Sequence, residues 1–372
     1  MKLSRAVFAG AAGLLVYAQV GYPLLLAALA RARRPRAPGG AAPAAGGEPL
    51  VSLVVPAHRE ADVIAAKIAN ARALDWPQDR LEVVVACDGS PDDTPARARA
   101  AGADVVLELD RRGKVRAQDA AVAAARGEVL AFSDANALWE RAALRALVAR
   151  LADDGVGYVC GQVRFTDAGG TNQEGLYWRY EMAVRALESR LASVTAGNGA
   201  IYAVRPEAYL HVDARVSHDL SLPYALVKRG WRAVYEPAAR AQEKMVPSLE
   251  GEFERKRRMM SHAWPAVLRG DLLDPRGYPP LYAFMVGSHR LLRYAAPFLH
   301  VVALVAGLRA SRAATAAQLV LLAAAGAGAR VHARPLLVAR YYVLTNAAVA
   351  AGLWDHLRHG TPAGWSPAEG TR

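Results

Sequence analysis

The chain has 372 residues, of which 53% are hydrophobic, and a formal net charge of +12. That length allows one catalytic-size domain with further segments, and the positive charge is compatible with nucleic acid, anionic lipid or a phosphorylated ligand as a partner. Cys87 and Cys160 are the two cysteines, and their isolated positions indicate neither a disulfide framework nor a zinc site.

The N-terminal segment is predicted to be a transmembrane helix at residues 1–30. Residues 7–30 carry almost no charge and are long enough to span a bilayer, and no small-residue cleavage site precedes the basic cluster that follows. Four arginines lie between residues 31 and 36, so the positive-inside rule puts the chain from residue 31 onward in the cytoplasm. Residues 31–48 are predicted to be a basic, flexible Pro/Gly linker.

Residues 49–270 are predicted to form one cytoplasmic α/β domain. Short apolar runs alternate with helical patterns from residue 51 to residue 151. This alternation indicates a doubly wound sheet with helices on both faces. The run that leads to Asp88 is continuously apolar, as expected of a strand buried on both faces, whereas Pro56 is expected to end the first strand.

Three carboxylates follow predicted buried strands: Glu60, Asp88 and Asp134. Each alone could be a helix cap or a turn residue, but the winding rule places all three at one edge of the sheet, where ligands bind. Asp134 and Asn136 are two residues apart in a tight turn and can both face a hard cation. Magnesium or manganese would take its other ligands from water and a diphosphate.

Two further charged residues stand at predicted helix starts. Lys114 follows Gly113 and either belongs to a solvated basic turn or faces a phosphate at the helix N-terminus. Asp219 precedes a helix predicted at 220–228. It is either a favourable charge in the first turn or a general base that accepts the proton of an attacking hydroxyl.

A basic helix is predicted at residues 252–267. Its four successive cations, 255–258, point all round the helix and therefore cannot all serve one ligand. We expect Arg257 and Arg258 to face a diphosphate, and the other two to meet lipid headgroups or solvent.

The C-terminal part of the chain has a membrane pattern. Residues 271–294 are predicted to be an interfacial amphipathic segment, and residues 295–354 to hold three transmembrane helices, followed by a tail at 355–372. Buried soluble helices are the alternative. The apolar segments are 295–308, 313–329 and 335–353.

Residues 51–269 resemble the family 2 glycosyltransferases with a GT-A fold, and the layout is similar to that of the membrane-bound, polysaccharide-synthase-like members. The resemblance implies a nucleotide-diphospho-sugar donor, which we expect to be a UDP-sugar, a divalent cation (Mg or Mn) and inversion at the anomeric carbon. It rests on seven segments in the family's order: VSLVVPAHRE, VVVACDGSPDDT, RRGKVRAQDAA, GEVLAFSDAN, AGNGAIYAVR, SHDLSLPYALVKRGW and YEPAARAQE.

The resemblance also implies roles for individual residues. The donor nucleotide would be bound by Pro56, Glu60 and Asp88, the diphosphate by Lys114, and the metal and diphosphate by Asp134 with Asn136, while Asp219 would be the catalytic base. The motif departs from the family at His58 and Arg59, Asp119, Asn136 and His218, and a Gln-x-x-Arg-Trp motif is not present. The last departure favours a single transfer or a lipid-linked acceptor over processive synthesis.

Two other functions remain open from the sequence. The departures at Asn136 and His218 are compatible with a catalytically weakened, nucleotide-sugar-binding membrane scaffold. A nucleotidyltransferase would need a glycine- and lysine-rich loop after the first strand, which PAHRE lacks. Nucleic acid is not expected as a partner, because the basic residues cluster beside membrane segments. We expect a multi-pass protein of the inner (plasma) membrane, with a sugar-nucleotide donor and a glycan or lipid-linked acceptor.

Overall fold

The computed structural model describes residues 2–33, 47–166, 173–246 and 248–364. Most of the predicted linker, residues 34–46, and the end of the predicted tail, residues 365–372, lie outside this part of the chain.

One mixed sheet forms the centre of the domain. The described strands have the order β3-β2-β1-β4-β7-β6-β8-β5. The first four in that order are parallel, β7 is antiparallel to both of its neighbours, and β8 is parallel to β6 but antiparallel to β5. The strands are β1 (Val51–Ala57), β2 (Leu81–Asp88), β3 (Val105–Leu109), β4 (Val129–Phe132), β5 (Leu138–Trp139), β6 (Val156–Thr166), β7 (Tyr202–Val204) and β8 (Arg232–Lys244).

Helices cover both faces of the sheet and extend from it at both ends of the chain. The long outer helices are α1 (Lys2–Ala32), α9 (Pro280–Ala310) and α11 (Arg334–His359), and a shorter one is α10 (Arg312–Ala327). The helices of the domain are α2 (Ile64–Arg72), α3 (Thr94–Ala100), α4 (Lys114–Ala124), α5 (Ala143–Leu151), α6 (Gln173–Leu191), α7 (His218–Val227) and α8 (Leu249–Leu268).

The central strands are buried along their whole length, as their continuous apolar pattern predicts. Every residue of β1 and β2 is buried. The prediction that Pro56 ends β1 is wrong, since the strand continues to Ala57 in register with β2. The backbone hydrogen bonds of Val54 point toward β4. Those of Pro56, two residues further along the strand, would point the same way, but the pairing with β4 has already ended at Val54 and Phe132. The missing N–H of Pro56 therefore breaks no ladder bond.

Three described helices are long and apolar enough to cross a membrane: α1, α9 and α11. The helix α10 is apolar but has only 16 residues. The predicted boundary between an interfacial segment, 271–294, and a first C-terminal span from residue 295 differs from the structure, because α9 runs continuously from Pro280 to Ala310.

The basic residues of α9 contact the domain. Arg293 donates two hydrogen bonds to Glu181 of α6, and His289 Nδ1 lies 2.7 Å from Glu188 Oε1. These carboxylates are seven residues apart and lie on one face of α6. The cations of this predicted interfacial segment therefore have partners within the protein. Tyr22 of α1 also donates to Glu188 at 2.7 Å, so α6 holds the inner parts of both long helices.

Replacing the central carboxylate of this contact should loosen the outer helices. Glu188→Ala leaves the Tyr22 hydroxyl and the imidazole of His289 buried without their acceptor, and we expect a loss of about 3 kcal/mol in the free energy of unfolding. The measurement is thermal unfolding of the detergent-solubilised protein. Glu207→Ala, at an exposed glutamate, is the matched control. Equal shifts in the two variants would show that the contact contributes little.

Candidate active site

Charged side chains from four elements meet at the carboxyl edge of the sheet. Lys114, the first residue of α4, forms an ion pair with Asp134, which follows β4. Burial alone lowers the pKa of Lys114, but the attraction of Asp134, then of Asp219 and Glu243, outweighs it, so the pKa is raised. The sequence predicted Asp134 and Lys114 for this edge. The structure adds Asp219 of α7 and Glu243 of β8, whose negative charges also act on Lys114.

The loop that contains AGNGA closes one side of this cluster. A Cβ atom on Gly199 would lie 3.3 Å from Lys114 Nζ and 3.6 Å from Asp134 Oδ2. The glycine therefore leaves space beside the ion pair that any other residue would narrow. The same loop fixes the start of α7, because Gly197 N donates to the carbonyl of Asp219 at 2.7 Å.

The residues present fit a divalent cation only in company with a phosphorylated ligand. Among the described residues no group of three or more His, Cys, Asp and Glu side chains could hold a metal ion. Asp134 and Asn136 are on one turn, in which Ala137 N donates to the carbonyl of Asp134 at 3.1 Å. One carboxylate and one amide oxygen suit magnesium or manganese if diphosphate oxygens and water complete the shell. The space at Gly199 is adjacent to this donor set.

Asp88 holds the loop that leads to Lys114. Its carboxylate is buried and accepts the backbone N–H groups of Arg112 at 2.7 Å and Gly113 at 3.0 Å. His58 Nδ1 lies 2.8 Å from the carbonyl of Asp88. The predicted contact of Asp88 with the donor nucleotide stays a prediction. The structure adds a role in the shape of the glycine-lysine segment.

The loop after β1 is joined to the turn after β2. Arg59 N donates to Ser90 Oγ at 2.7 Å, and Glu60 N donates to Thr94 Oγ1 at 2.9 Å. The side chain of Glu60 is buried beside this turn. Glu60, Asp88 and Pro56 are thus brought to the predicted edge, and their contacts with a nucleotide stay predictions.

Arg257 has a partner that was not predicted. It donates to both carboxylate oxygens of Asp355 at 2.7 and 2.8 Å, and the hydrogen bonding to Asp355 raises its pKa. Arg257 therefore connects α8 with α11, and its predicted contact with a diphosphate stays a prediction. The pKa of Arg258 is lowered by burial and by Arg255, and its predicted contact with a diphosphate stays a prediction.

A cluster of buried aromatic side chains lies next to Asp219 and was not predicted from the sequence. His218 Nδ1 lies 2.9 Å from the Tyr202 hydroxyl, and the ring of Tyr202 stacks on Phe132 at 4.6 Å between centroids. Burial, then Lys114 and His211, lowers the pKa of His218 to about 3. The residue was noted only as a departure from a family motif, whereas the structure makes it a neutral support for the start of α7.

The end of the described chain also reaches the site. A Cβ atom on Gly113, which has a φ of +96°, would overlap the carbonyl oxygen of Ala363. Thr361 is anchored nearby through a hydrogen bond of 2.7 Å to the carbonyl of Ser261 on α8. No sequence signal assigned a function to this segment of the predicted tail.

The model of the family described as Glycosyl transferase family 2 matches residues 52–217. This range includes Lys114 and Asp134, whereas Asp219 of α7 and Glu243 of β8 lie beyond it. Residues 52–217 therefore form a family 2 glycosyltransferase domain. The predicted family is thus confirmed.

Relatives with known or assigned names support this family. The chain is 29% identical over 132 residues to Glycosyltransferase AglE of Haloferax volcanii, covering 34% of this chain and 43% of the relative. It is 31% identical over 140 residues to Probable glycosyltransferase YdaM of Bacillus subtilis, covering 33% of this chain and 31% of the relative. The chain therefore spans less than half the length of these curated relatives.

One solved structure is similar over almost the whole chain. It is the mannosyltransferase PcManGT from Pyrobaculum calidifontis in complex with GDP-Man and Mn²⁺. The TM-score is 0.73 at 26% sequence identity, and the match covers 95% of this chain and 99% of the other. This similarity confirms the predicted GT-A fold with apolar helices at both ends.

The neutral His218 should make the protein sensitive to acid. The unfolded chain protonates this imidazole below about pH 6.5, whereas the folded protein resists protonation until about pH 3. The free energy of unfolding should therefore fall as the pH decreases through this interval, by up to about 1.4 kcal/mol per pH unit. His218→Gln should flatten the dependence of the thermal midpoint on pH. The control is His332→Gln at an exposed position, and equal slopes in both variants would contradict the prediction.

Proposed function

We propose that the protein transfers a sugar from a nucleotide-diphospho-sugar to a hydroxyl group of a glycan or lipid-linked acceptor at the membrane. The observation that carries the proposal is the convergence of Lys114, Asp134 and Asp219 at one edge of the sheet. The first two suit a diphosphate and its cation, and the third suits the removal of a proton. The family 2 glycosyltransferase domain supports the same chemistry.

The proposed reaction is a single in-line displacement with inversion. Asp219 accepts the proton of the acceptor hydroxyl while the oxygen of that hydroxyl forms a bond to the anomeric carbon. The bond between that carbon and the diphosphate oxygen breaks, and the nucleoside diphosphate leaves with the electron pair. In this proposal the ammonium of Lys114 stabilises the developing negative charge.

A divalent cation, Mg²⁺ or Mn²⁺, held by Asp134 and Asn136 would neutralise charge on the diphosphate. Asn136 contributes no charge to this site. We therefore propose that the phosphates supply much of the coordination and that cation and donor bind together. The Lys114–Asp134 ion pair also fits this order of events, because a bound cation and diphosphate would give each partner a new counter-charge.

The donor is proposed from two lines of support that differ in the base. The family resemblance favours a UDP-sugar, whereas the similar structure from Pyrobaculum calidifontis contains GDP-Man and Mn²⁺. Both agree on a nucleotide-diphospho-sugar. The three long apolar helices support an integral membrane protein, and the arginines after α1 favour a cytoplasmic catalytic domain in the inner membrane.

A non-catalytic sugar-nucleotide-binding scaffold is the second candidate. It is favoured by the replacement of the second acid of the metal motif by Asn136. Such a protein would bind a nucleoside diphosphate with manganese but would not release it from a sugar donor. A panel of UDP- and GDP-sugars, assayed for nucleoside diphosphate release in membranes, separates this candidate from an enzyme.

The proposed base is tested by Asp219→Asn. The amide keeps the size of the side chain but cannot accept the proton, so the rate of nucleoside diphosphate release should fall by about 10²- to 10⁴-fold. Donor binding by calorimetry should change little. The matched control is Asp213→Asn, which removes an exposed carboxylate paired with Arg215. An unchanged rate in Asp219→Asn would refute the assignment.

A further inference from the structure

A lysine lies buried beneath the turn that carries Asp134. Lys67 of α2 is 1% exposed, and its Nζ donates to the carbonyl of Ala137 at 2.7 Å. The same Nζ lies 5.1 Å from the centroid of the Trp139 ring. A buried ammonium is costly unless it is paired, and an apolar side chain of similar length would fill the same space without that cost. The hydrogen bond that the amine donates therefore accounts for a lysine at this position better than packing does.

The contact of Lys67 leads directly to the proposed cation site. Ala137 is the residue after Asn136, and its own N–H donates to the carbonyl of Asp134. Burial lowers the pKa of the Lys67 amine to about 7, and the attraction of the carboxylates of Asp134 and Glu243 acts against this shift. A displacement of Ala137 would move the turn on which both proposed cation ligands stand.

A second residue of α2 holds the same segment. Asn70, one helical turn after Lys67, donates to the carbonyl of Trp139 at 2.9 Å and accepts from its N–H at 2.8 Å. The indole N–H of Trp139 then donates to the carbonyl of Ala200 at 3.0 Å. Three hydrogen bonds from α2 thus fix the segment 137–139, and the tryptophan passes this restraint to the loop that contains Gly199.

We propose that Lys67 and Asn70 are positioning residues for the cation and diphosphate site. They fix the distance between Asp134 and Asn136 from below, through backbone groups and without touching the donor. This inference rests on the proposed function, because it assigns these residues to the site where the sugar nucleotide and its cation would bind. The helix α2 is then a part of the catalytic machinery as well as a cover for the sheet.

The test compares Lys67→Met with the control Ile68→Val. Methionine fills the volume of the lysine but donates no hydrogen bond, and Ile68 is a fully buried neighbour on the same helix whose truncation tests general loss of packing. Binding of UDP and of GDP is measured by calorimetry over a series of Mn²⁺ concentrations. We expect Lys67→Met to raise the Mn²⁺ concentration for half-maximal binding about tenfold, as is typical of residues behind metal ligands. Nucleotide binding without metal should be unchanged.

Asn70→Asp gives an independent result if Lys67→Met fails to fold. The aspartate keeps the acceptor for Trp139 N–H but loses the donor, so its manganese dependence should lie between those of the wild type and Lys67→Met. If both variants match Ile68→Val, the role is structural only and the inference is refuted. If the wild type itself shows no manganese-dependent binding of either nucleotide, the proposed function fails and this inference with it.

Discussion

The arrangement of the whole molecule depends on two buried carboxylates of α6. Glu181 and Glu188 face away from the sheet and receive Arg293 and His289 from α9 and the hydroxyl of Tyr22 from α1. Buried carboxylates are stable only with such partners, so the helix of the catalytic domain and the two long helices cannot separate without exposing unpaired charge. This fixed attachment decides which way the carboxyl edge of the sheet faces relative to the apolar helices. An acceptor that is linked to lipid would have to reach that edge from one defined direction.

The sequence predicted the core of the fold well where the signal is local. A strand such as β2 has a continuous apolar run and could be recognised from its own residues, and the alternation with helices determined the sheet edge at which Asp88 and Asp134 lie. The errors concern residues whose partners are distant in the chain. The cations of α9 were expected at a membrane interface. The sequence did not reveal their partner Glu181, because it lies 112 residues away. The partner of Arg257 was not predicted for the same reason, since Asp355 lies 98 residues further along.

The site shows the same division between local and distant information. Short motifs pointed to Lys114, Asp134 and Asp219. In the structure the charges of both aspartates raise the pKa of Lys114. Lys67 could not be found this way, because one lysine in a helical pattern indicates a solvated face and only the fold shows it buried under Ala137. The contact of Ala363 with Gly113 could not be predicted either, because it joins the predicted tail to the middle of the domain through packing alone.

The ion pair between Arg293 and Glu181 of α6 has a consequence for the lipid bilayer. Beyond this anchor, the 17 residues 294–310 provide about 26 Å of helix, which is somewhat less than the hydrocarbon thickness of about 30 Å. On α1 the contact with α6 is made by Tyr22, and the 20 residues 2–21 beyond it provide about 30 Å of helix. A thicker bilayer must thin around this pair, whereas a thinner one tilts the helices, at a cost that grows with each ångström of mismatch. Because the anchor is rigid, a tilt of these helices also tilts the sheet, so the acyl-chain length of the surrounding lipid becomes a variable that acts on the orientation of the catalytic edge.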